Sequence, residues 1–146
     1  MSATADHAEE RTNPAARLGF QPGQVVQELG YDDDTEQALR EGIEAITGTE
    51  LVDEDYGDEP DAVVLWFRED DGDLTDALVD ATMLVQNGAP IWLMTPKTGR
   101  PGHVEPSEIS EASKTAGLTQ TRSFNAGKDW SGSRLVTPQT ARSGKR

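Results

Sequence analysis

Lys97, Arg100 and His103 recur at three-residue intervals in Lys97-Thr98-Gly99-Arg100-Pro101-Gly102-His103, directly after the apolar run Pro90-Ile91-Trp92-Leu93-Met94-Thr95-Pro96. Two cations and an imidazole beside two glycines suit a phosphate or a carboxylate, the side chains supplying charge and the loop amides supplying donors. The plainer reading is a solvated crossover loop in which Lys97 pairs with an acid of Asp32-Asp33-Asp34. Gly30 and Asp53 are the next candidates. Gly30 follows the expected first strand, Gln24–Leu29, and Asp53 closes the short run Glu50-Leu51-Val52, so the two would flank a ligand crevice at strand ends. A third pair, Trp130 and Arg134, belongs to residue types enriched in binding hot spots and marks a candidate interaction surface. Its alternative is a packed Trp130 covered by Arg134.

Other chemistry is poorly supplied. The chain has no cysteine, so thiolate metal sites, disulfides and cysteine nucleophiles are excluded. Its histidines are His7 and His103, with no two-histidine metal spacing and no Gly-x-Ser-x-Gly elbow, so no catalytic residue is assigned. Acidic runs occur at Asp32-Asp33-Asp34, Asp53-Glu54-Asp55, Asp58-Glu59 and Glu69-Asp70-Asp71-Gly72-Asp73. The last lacks the length and closing glutamate of a calcium loop, and all of them fall in expected loops, where a solvated surface explains them. No metal and no cofactor are expected.

The elements that must position these residues follow from periodicity. Gln24–Leu29 reads as a first strand. Asp34, with Gln37 three residues on, reads as a capping box before a helix over 35–47 whose inner face is Ala38, Leu39, Gly42, Ile43 and Ile46. Glu50–Asp53 reads as a short strand near a sheet edge. Asp61–Phe67 and the run ending at Pro96 are continuously apolar and read as central strands buried on both faces. Between them, Leu74–Gln86 is helical and Asn87-Gly88 closes it. Pro106 starts a helix to about Ala116, and Leu118–Asn125 and Trp130–Val136 form a closing antiparallel hairpin in which Gly132 signals a close approach or a bulge. Strands alternating with helices predict an α/β fold, a mostly parallel Rossmann-like three-layer sheet with a C-terminal antiparallel hairpin. The expected domain covers 18–137, between a disordered tail over 1–17 and a basic flexible tail over 138–146.

Two motifs then carry a family likeness. Trp92-Leu93-Met94-Thr95-Pro96-Lys97 and Trp130-Ser131-Gly132-Ser133-Arg134-Leu135-Val136, with Leu18-Gly19-Phe20-Gln21-Pro22-Gly23 and Asp61–Leu65, resemble an uncharacterised bacterial family of unknown function. Its strands carry W-x-x-x-P-K and W-S-G-x-[KR]-[FL]-V. More distantly, the order of elements resembles a truncated class I methyltransferase. That resemblance implies a crevice for an adenosyl cofactor beyond Gly30, with Asp53 as the acid toward a ribose. The residues there depart from it, because one glycine is followed by Tyr31 and three carboxylates.

Charge bounds the function. Net charge is -14, and it is divided: residues 1–96 hold 23 acids and 4 bases, residues 97–146 hold 4 acids and 9 bases. Such a chain is repelled by nucleic acid and anionic membranes. No stretch has the roughly 20 apolar residues of a membrane span, and Met1–Arg17 has no apolar run of signal-peptide type. The expectation is a small acidic cytoplasmic protein leaning away from catalysis: a regulatory or protein-interaction domain with a degenerate methyltransferase-like fold. Its acidic and basic halves suit a protein partner or self-association. The alternative is a protein binding an adenosyl or anionic small molecule, or an enzyme, through the crevice formed by Gly30, Asp53 and Lys97.

Overall fold

The two continuously apolar runs become the middle of the sheet, because only there are both faces of a strand covered. The computed structural model describes residues 13–86 and 88–138. In chain order the elements are β1 (Val26–Leu29), α1 (Gln37–Thr47), β2 (Ala62–Trp66), α2 (Leu74–Thr82), β3 (Ile91–Pro96), α3 (Pro106–Thr115), β4 (Thr119–Asn125) and β5 (Trp130–Val136), with a 3-10 turn at Glu69–Asp71. The sheet order is β1-β2-β3-β5-β4. β1, β2 and β3 run parallel, and β5 pairs antiparallel with both β3 and β4. Every residue of β2 and of β3 is buried.

Alternation along these strands splits the core in two. Val64, Trp66, Trp92, Met94 and Trp130 face α1 and the segment Ala15–Phe20. Val63, Leu65, Ile91, Leu93 and Leu135 face α2 and α3. Helices therefore cover both faces and the architecture is the expected three-layer α/β fold. The first face is aromatic. Trp92 sits between Phe20 and Phe124 at centroid distances of 5.3 and 5.6 Å, and Trp66 meets Trp130 edge-on at 4.9 Å. These are the tilted and edge-to-face arrangements that the ring quadrupole favours.

Several sequence expectations need correction. The strand at Glu50–Asp53 shrinks to a single parallel bridge, Gln27 to Val52, beside the edge strand β1. Glu50 and Asp53 are both exposed, so the run has too little apolar side chain to hold a longer pairing. The expected capping box does not form. Helix α1 starts at Gln37 with Glu36 as an N-cap that makes no side-chain bond, and the Asp34 carboxylate points elsewhere. Ala38 is exposed, outside the inner face of α1. Helix α2 ends at Thr82 rather than Gln86, and Asn87 lies outside the described residues. Packed chain also begins before the expected boundary at Leu18: Ala15 is fully buried and Asn13 donates to the carbonyl of Gly42 at 3.1 Å. Residues 139–146 of the basic tail and His7 lie outside the described residues. Among the described residues no helix is long and apolar enough to cross a membrane.

Gly132 is explained by packing. A β-carbon there would overlap the Phe124 ring, which lies across the glycine from β4. Gly132→Ala is expected to destabilise the domain by about 1–3 kcal/mol in urea unfolding, the usual range for overpacking. Combining it with Phe124→Leu should recover part of that loss. Equal stability of Gly132→Ala and the parent would contradict this packing.

Candidate functional site

Parallel strands end with carbonyls directed out of the sheet, and something must donate to them. At the carboxyl ends of β1 and β2 the donor is Arg68, the second residue after β2. Its Nη1 donates to the carbonyls of Gly30 at 3.1 Å and Trp66 at 3.3 Å, and to Asp71 Oδ2 at 3.0 Å. Its Nε and Nη2 form a two-pronged pair with Asp34 at 2.9 and 2.6 Å. The guanidinium lies 5.2 Å from the Trp130 ring centroid, and the Trp130 indole donates to the Asp34 carbonyl at 2.8 Å. Arg68 thus ties the ends of β1 and β2 to the loop before α1 and to β5.

A second ion pair stands beneath the first. The Glu28 carboxylate is buried in β1 and accepts from Arg40 Nε at 2.6 Å, Arg40 Nη2 at 2.8 Å and the Trp66 indole at 2.8 Å. Three charge-assisted bonds satisfy a group that would otherwise be costly to bury. Arg40 also lies 4.3 Å over the ring of Tyr31, a cation–π contact.

These contacts shift protonation. The hydrogen bonds from Arg68 hold the Asp34 carboxyl below its usual value, with burial opposing and the charge of Arg68 assisting. The Asp34 hydrogen bond lifts Arg68 above the ordinary guanidinium range against burial, helped by Asp71. Arg40 is raised in the same way by Glu28.

Gly30 and Asp53 fall within this region in a different role from the one expected. Gly30 has φ of 78°, and a β-carbon there would overlap the Trp66 carbonyl oxygen. The space its missing side chain leaves is taken by the chain itself. Asp53 Oδ1 accepts from the amide of Asp55 at 3.0 Å, and its carbonyl accepts from Gln27 at 2.9 Å. Gly30 lines a cleft of about 530 Å³ with Tyr31, Arg68 and Asp71. Asp53 lines another, of about 360 Å³, with Glu28, Arg40, Glu54 and Asp55.

Lys97 and His103 line a separate cleft of about 640 Å³ beyond β3. Lys97 is therefore set apart from Gly30 and Asp53, because two strands separate β1 from the antiparallel side of β3, whereas the clefts at Gly30 and Asp53 adjoin and share Tyr31 and Glu54. Arg100 is diverted into an ion pair with Asp129. The ring of His103 is fixed by Nδ1 donating to the Pro96 carbonyl at 2.9 Å, with Glu105 3.5 Å from Nε2. Lys97 has no ion-pair partner among the described residues, and the expected pairing with the Asp32 loop is not seen.

Trp130 is 2% exposed, so it is core and not part of an interaction surface. Arg134 covers Trp92 at 5.6 Å and bonds Thr121 at 3.1 Å, while Arg68 covers Trp130. Among the described residues no three His, Asp or Glu side chains converge on a metal position. Sequence reasoning missed Glu28, Asp34, Arg40 and Arg68 as a unit. The available signal was charge: Arg40 and Arg68 are the only cations between Leu18 and Pro96.

Comparison with known proteins agrees with the fold. Residues 15–139 match the model of a family described as "Protein of unknown function (DUF3052)", and the chain belongs to that family. It is 51% identical over 142 residues to "Uncharacterized protein Rv2239c" of Mycobacterium tuberculosis and to "Uncharacterized protein Mb2263c" of Mycobacterium bovis, covering 97% of this chain and 87% of each relative. Among solved structures, a SAM-dependent methyltransferase from Aquifex aeolicus aligns with a TM-score of 0.59 at 13% identity over 88% of this chain and 92% of that one. The mitomycin 7-O-methyltransferase MmcR aligns at 0.60 and 12% identity over 90% of this chain, which spans about half, 54%, of that enzyme. At these identities the likeness is one of fold.

Removing the Arg68 side chain leaves the Asp34 carboxylate and two carbonyls without this donor, while Asp71 keeps the backbone N–H of residue 68. Arg68→Ala is expected to cost about 1–3 kcal/mol, below the 3–5 of a fully buried pair because Asp34 is more than half exposed. A loss under about 0.5 kcal/mol in urea unfolding, the range of ordinary surface changes, would contradict this network. The pH dependence follows from Asp34. Its folded pKa lies below the usual 3.8, so its stabilisation is full above that value and drains away as pH falls through the lowered one. Asp34→Asn should accordingly flatten the loss of stability below about pH 4, measured by thermal melts from pH 6 downward. An unchanged acid slope would contradict the shift.

Proposed function

We propose that this chain is a non-catalytic protein-interaction domain of regulatory type, built on a methyltransferase-like sheet whose strand ends at the cofactor crevice are taken up by its own side chains. The observation that carries this reading is Arg68, which occupies the ends of β1 and β2 and donates to Gly30, Trp66, Asp34 and Asp71. The solved relatives of the fold include enzymes whose structures hold S-adenosylmethionine or S-adenosylhomocysteine. The residues here do not fit such a group. The turn after β1 supplies one glycine, whose open side faces Trp66, and Tyr31 and three acids follow it. No catalytic step is therefore derived through an adenosyl group.

The surface supports contact with another protein. Tyr31 is 48% exposed, and beside it stand Asp32, Asp33, Glu54 and Asp55, all exposed. An exposed tyrosine framed by carboxylates suits a basic partner, with charge steering the approach and the ring supplying contact area. The basic side chains of the second half make a second copy of this chain one such partner.

Calorimetry or a thermal shift with S-adenosylhomocysteine tests whether the β1–β2 crevice takes a cofactor. A ligand at about 100 times its dissociation constant adds roughly 2.7 kcal/mol, which raises the melting temperature by several degrees. The expected result is no rise at about 1 mM, a concentration that would reveal dissociation constants of about 10 µM or tighter in this way. A clear rise would overturn the reading and make this a cofactor-binding protein.

A further inference from the structure

The antiparallel half of the sheet carries a feature that the Arg68 network does not explain. Strand register aligns Thr95 of β3 with Ser131 of β5, and Ser131 with Asn125 of β4. Alternation places this row on the face opposite Trp92 and Trp130. The next row holds Ser133 beside Ser123, and Gln120 Nε2 bonds both hydroxyls, at 3.0 and 3.1 Å. A sheet face that is apolar under α2 and α3 therefore turns polar toward β4. It is not covered there. A cleft of about 640 Å³ lies on it, walled by Val104 and Ile109 and reaching Lys97 and His103 at the loop. That volume is in the range of small-molecule sites, roughly 300–1,000 Å³.

Thr95 decides the character of the cleft. It is 3% exposed, yet its hydroxyl makes no hydrogen bond among the described residues. The Ser131 hydroxyl likewise has no partner among them. Both residues line the open cleft and Ser131 is only half-buried, so water serves these hydroxyls in the free protein and a ligand offering donors and acceptors would take its place. Charge at the open end points the same way. Lys97 is uncommitted among the described residues, and the first turn of α3, where Pro106 and Ile109 line the cleft, has no side-chain cap. An uncapped helix N-terminus and an ammonium both favour an anion. Glu105 at the N-cap of α3 and Glu108 in its first turn oppose this, but both are exposed and neither lines the cleft.

We propose that this cleft binds a small phosphorylated polyhydroxy compound of the sugar-phosphate class. Its phosphate meets Lys97 and the start of α3, and its hydroxyls lie along Thr95, Ser131 and Asn125. This site is separate from the β1–β2 crevice and stands or falls independently of the interaction role.

The test is an amide NMR titration of the full chain with ribose 5-phosphate, glucose 6-phosphate and glycerol 3-phosphate, beside inorganic phosphate and ribose alone. The expected result is saturable shifts at Thr95, Lys97, Ser131 and Gly132 for at least one sugar phosphate. Its affinity should be at least about tenfold tighter than that of phosphate or ribose, as two recognised parts of one ligand require. Lys97→Ala should weaken that binding about tenfold or more, and Thr95→Val, which keeps shape and removes the hydroxyl, about fivefold or more. Should Lys97→Ala fail to fold, Lys97→Met serves, and melting curves confirm each variant's fold. No saturable shift from any sugar phosphate by about 20 mM, far weaker than ordinary metabolite sites, would overturn the proposal. So would inorganic phosphate or ribose binding as tightly as the sugar phosphates, shifts confined to other residues, or affinity unchanged in Lys97→Ala.

Discussion

The structure depends on how the carboxyl ends of its parallel strands are satisfied. Backbone carbonyls at the ends of β1 and β2 have no further strand residue to bond, and water or a ligand ordinarily supplies the donors there. Here the chain supplies them itself. The planar guanidinium of Arg68 presents its donors in one fork and engages two carbonyls and two carboxylates together. Asp34 is thereby drawn away from the start of α1, which explains why that helix begins without a side-chain cap. Gly30 must lack a side chain for β2 to approach, and Trp130 must lie flat enough for its indole to reach the Asp34 carbonyl. One arginine thus links a glycine, a helix start and the packing of the last strand.

The same arrangement divides the molecule chemically. Its first half places carboxylates around β1 and spends its two internal arginines on Glu28 and on Asp34 with Asp71, leaving the remaining acids to solvent. Its second half exposes a sheet face of hydroxyls and amides, with Lys97 at one end. Distinct clefts of opposite character on one sheet are compatible with a scaffold that contacts a partner on one side and a small ligand on the other. Neither requires the chemistry of the enzymes whose fold it shares.

Much of the fold was legible because it rests on strong patterns. Six and four successive apolar residues admit few placements besides a central strand, and they form β2 and β3. The hairpin followed from Gly127 and the alternation of Trp130–Val136. The failures came where side chains acted at a distance. Asp34-Thr35-Glu36-Gln37 has the letters of a capping box, yet a cation 34 residues away competes better for the carboxylate. Leu51 and Val52 look like a strand but have only β1 to lean on. Trp130 and Arg134 are four residues apart on one face of a strand and read as partners, whereas register sets Arg134 over Trp92 and leaves Trp130 to Arg68. The site was the least legible part. Lys97 and His103 were visible as charge, but Thr95, Ser131 and Asn125 become neighbours only through the pairing of three strands, which no local spacing reveals.

The central claim is that Arg68 is a fixed structural plug, and its Nε proton reports this directly. In nitrogen-15 spectra at neutral pH, an exposed arginine Nε–H exchanges rapidly with water, whereas one held in a two-pronged pair is protected. The account predicts a slowly exchanging Arg68 Nε resonance whose position does not change when S-adenosylhomocysteine is added. A resonance that exchanges like that of an exposed arginine, or that moves as the compound is added, would show that the mouth of the crevice opens and would contradict the account.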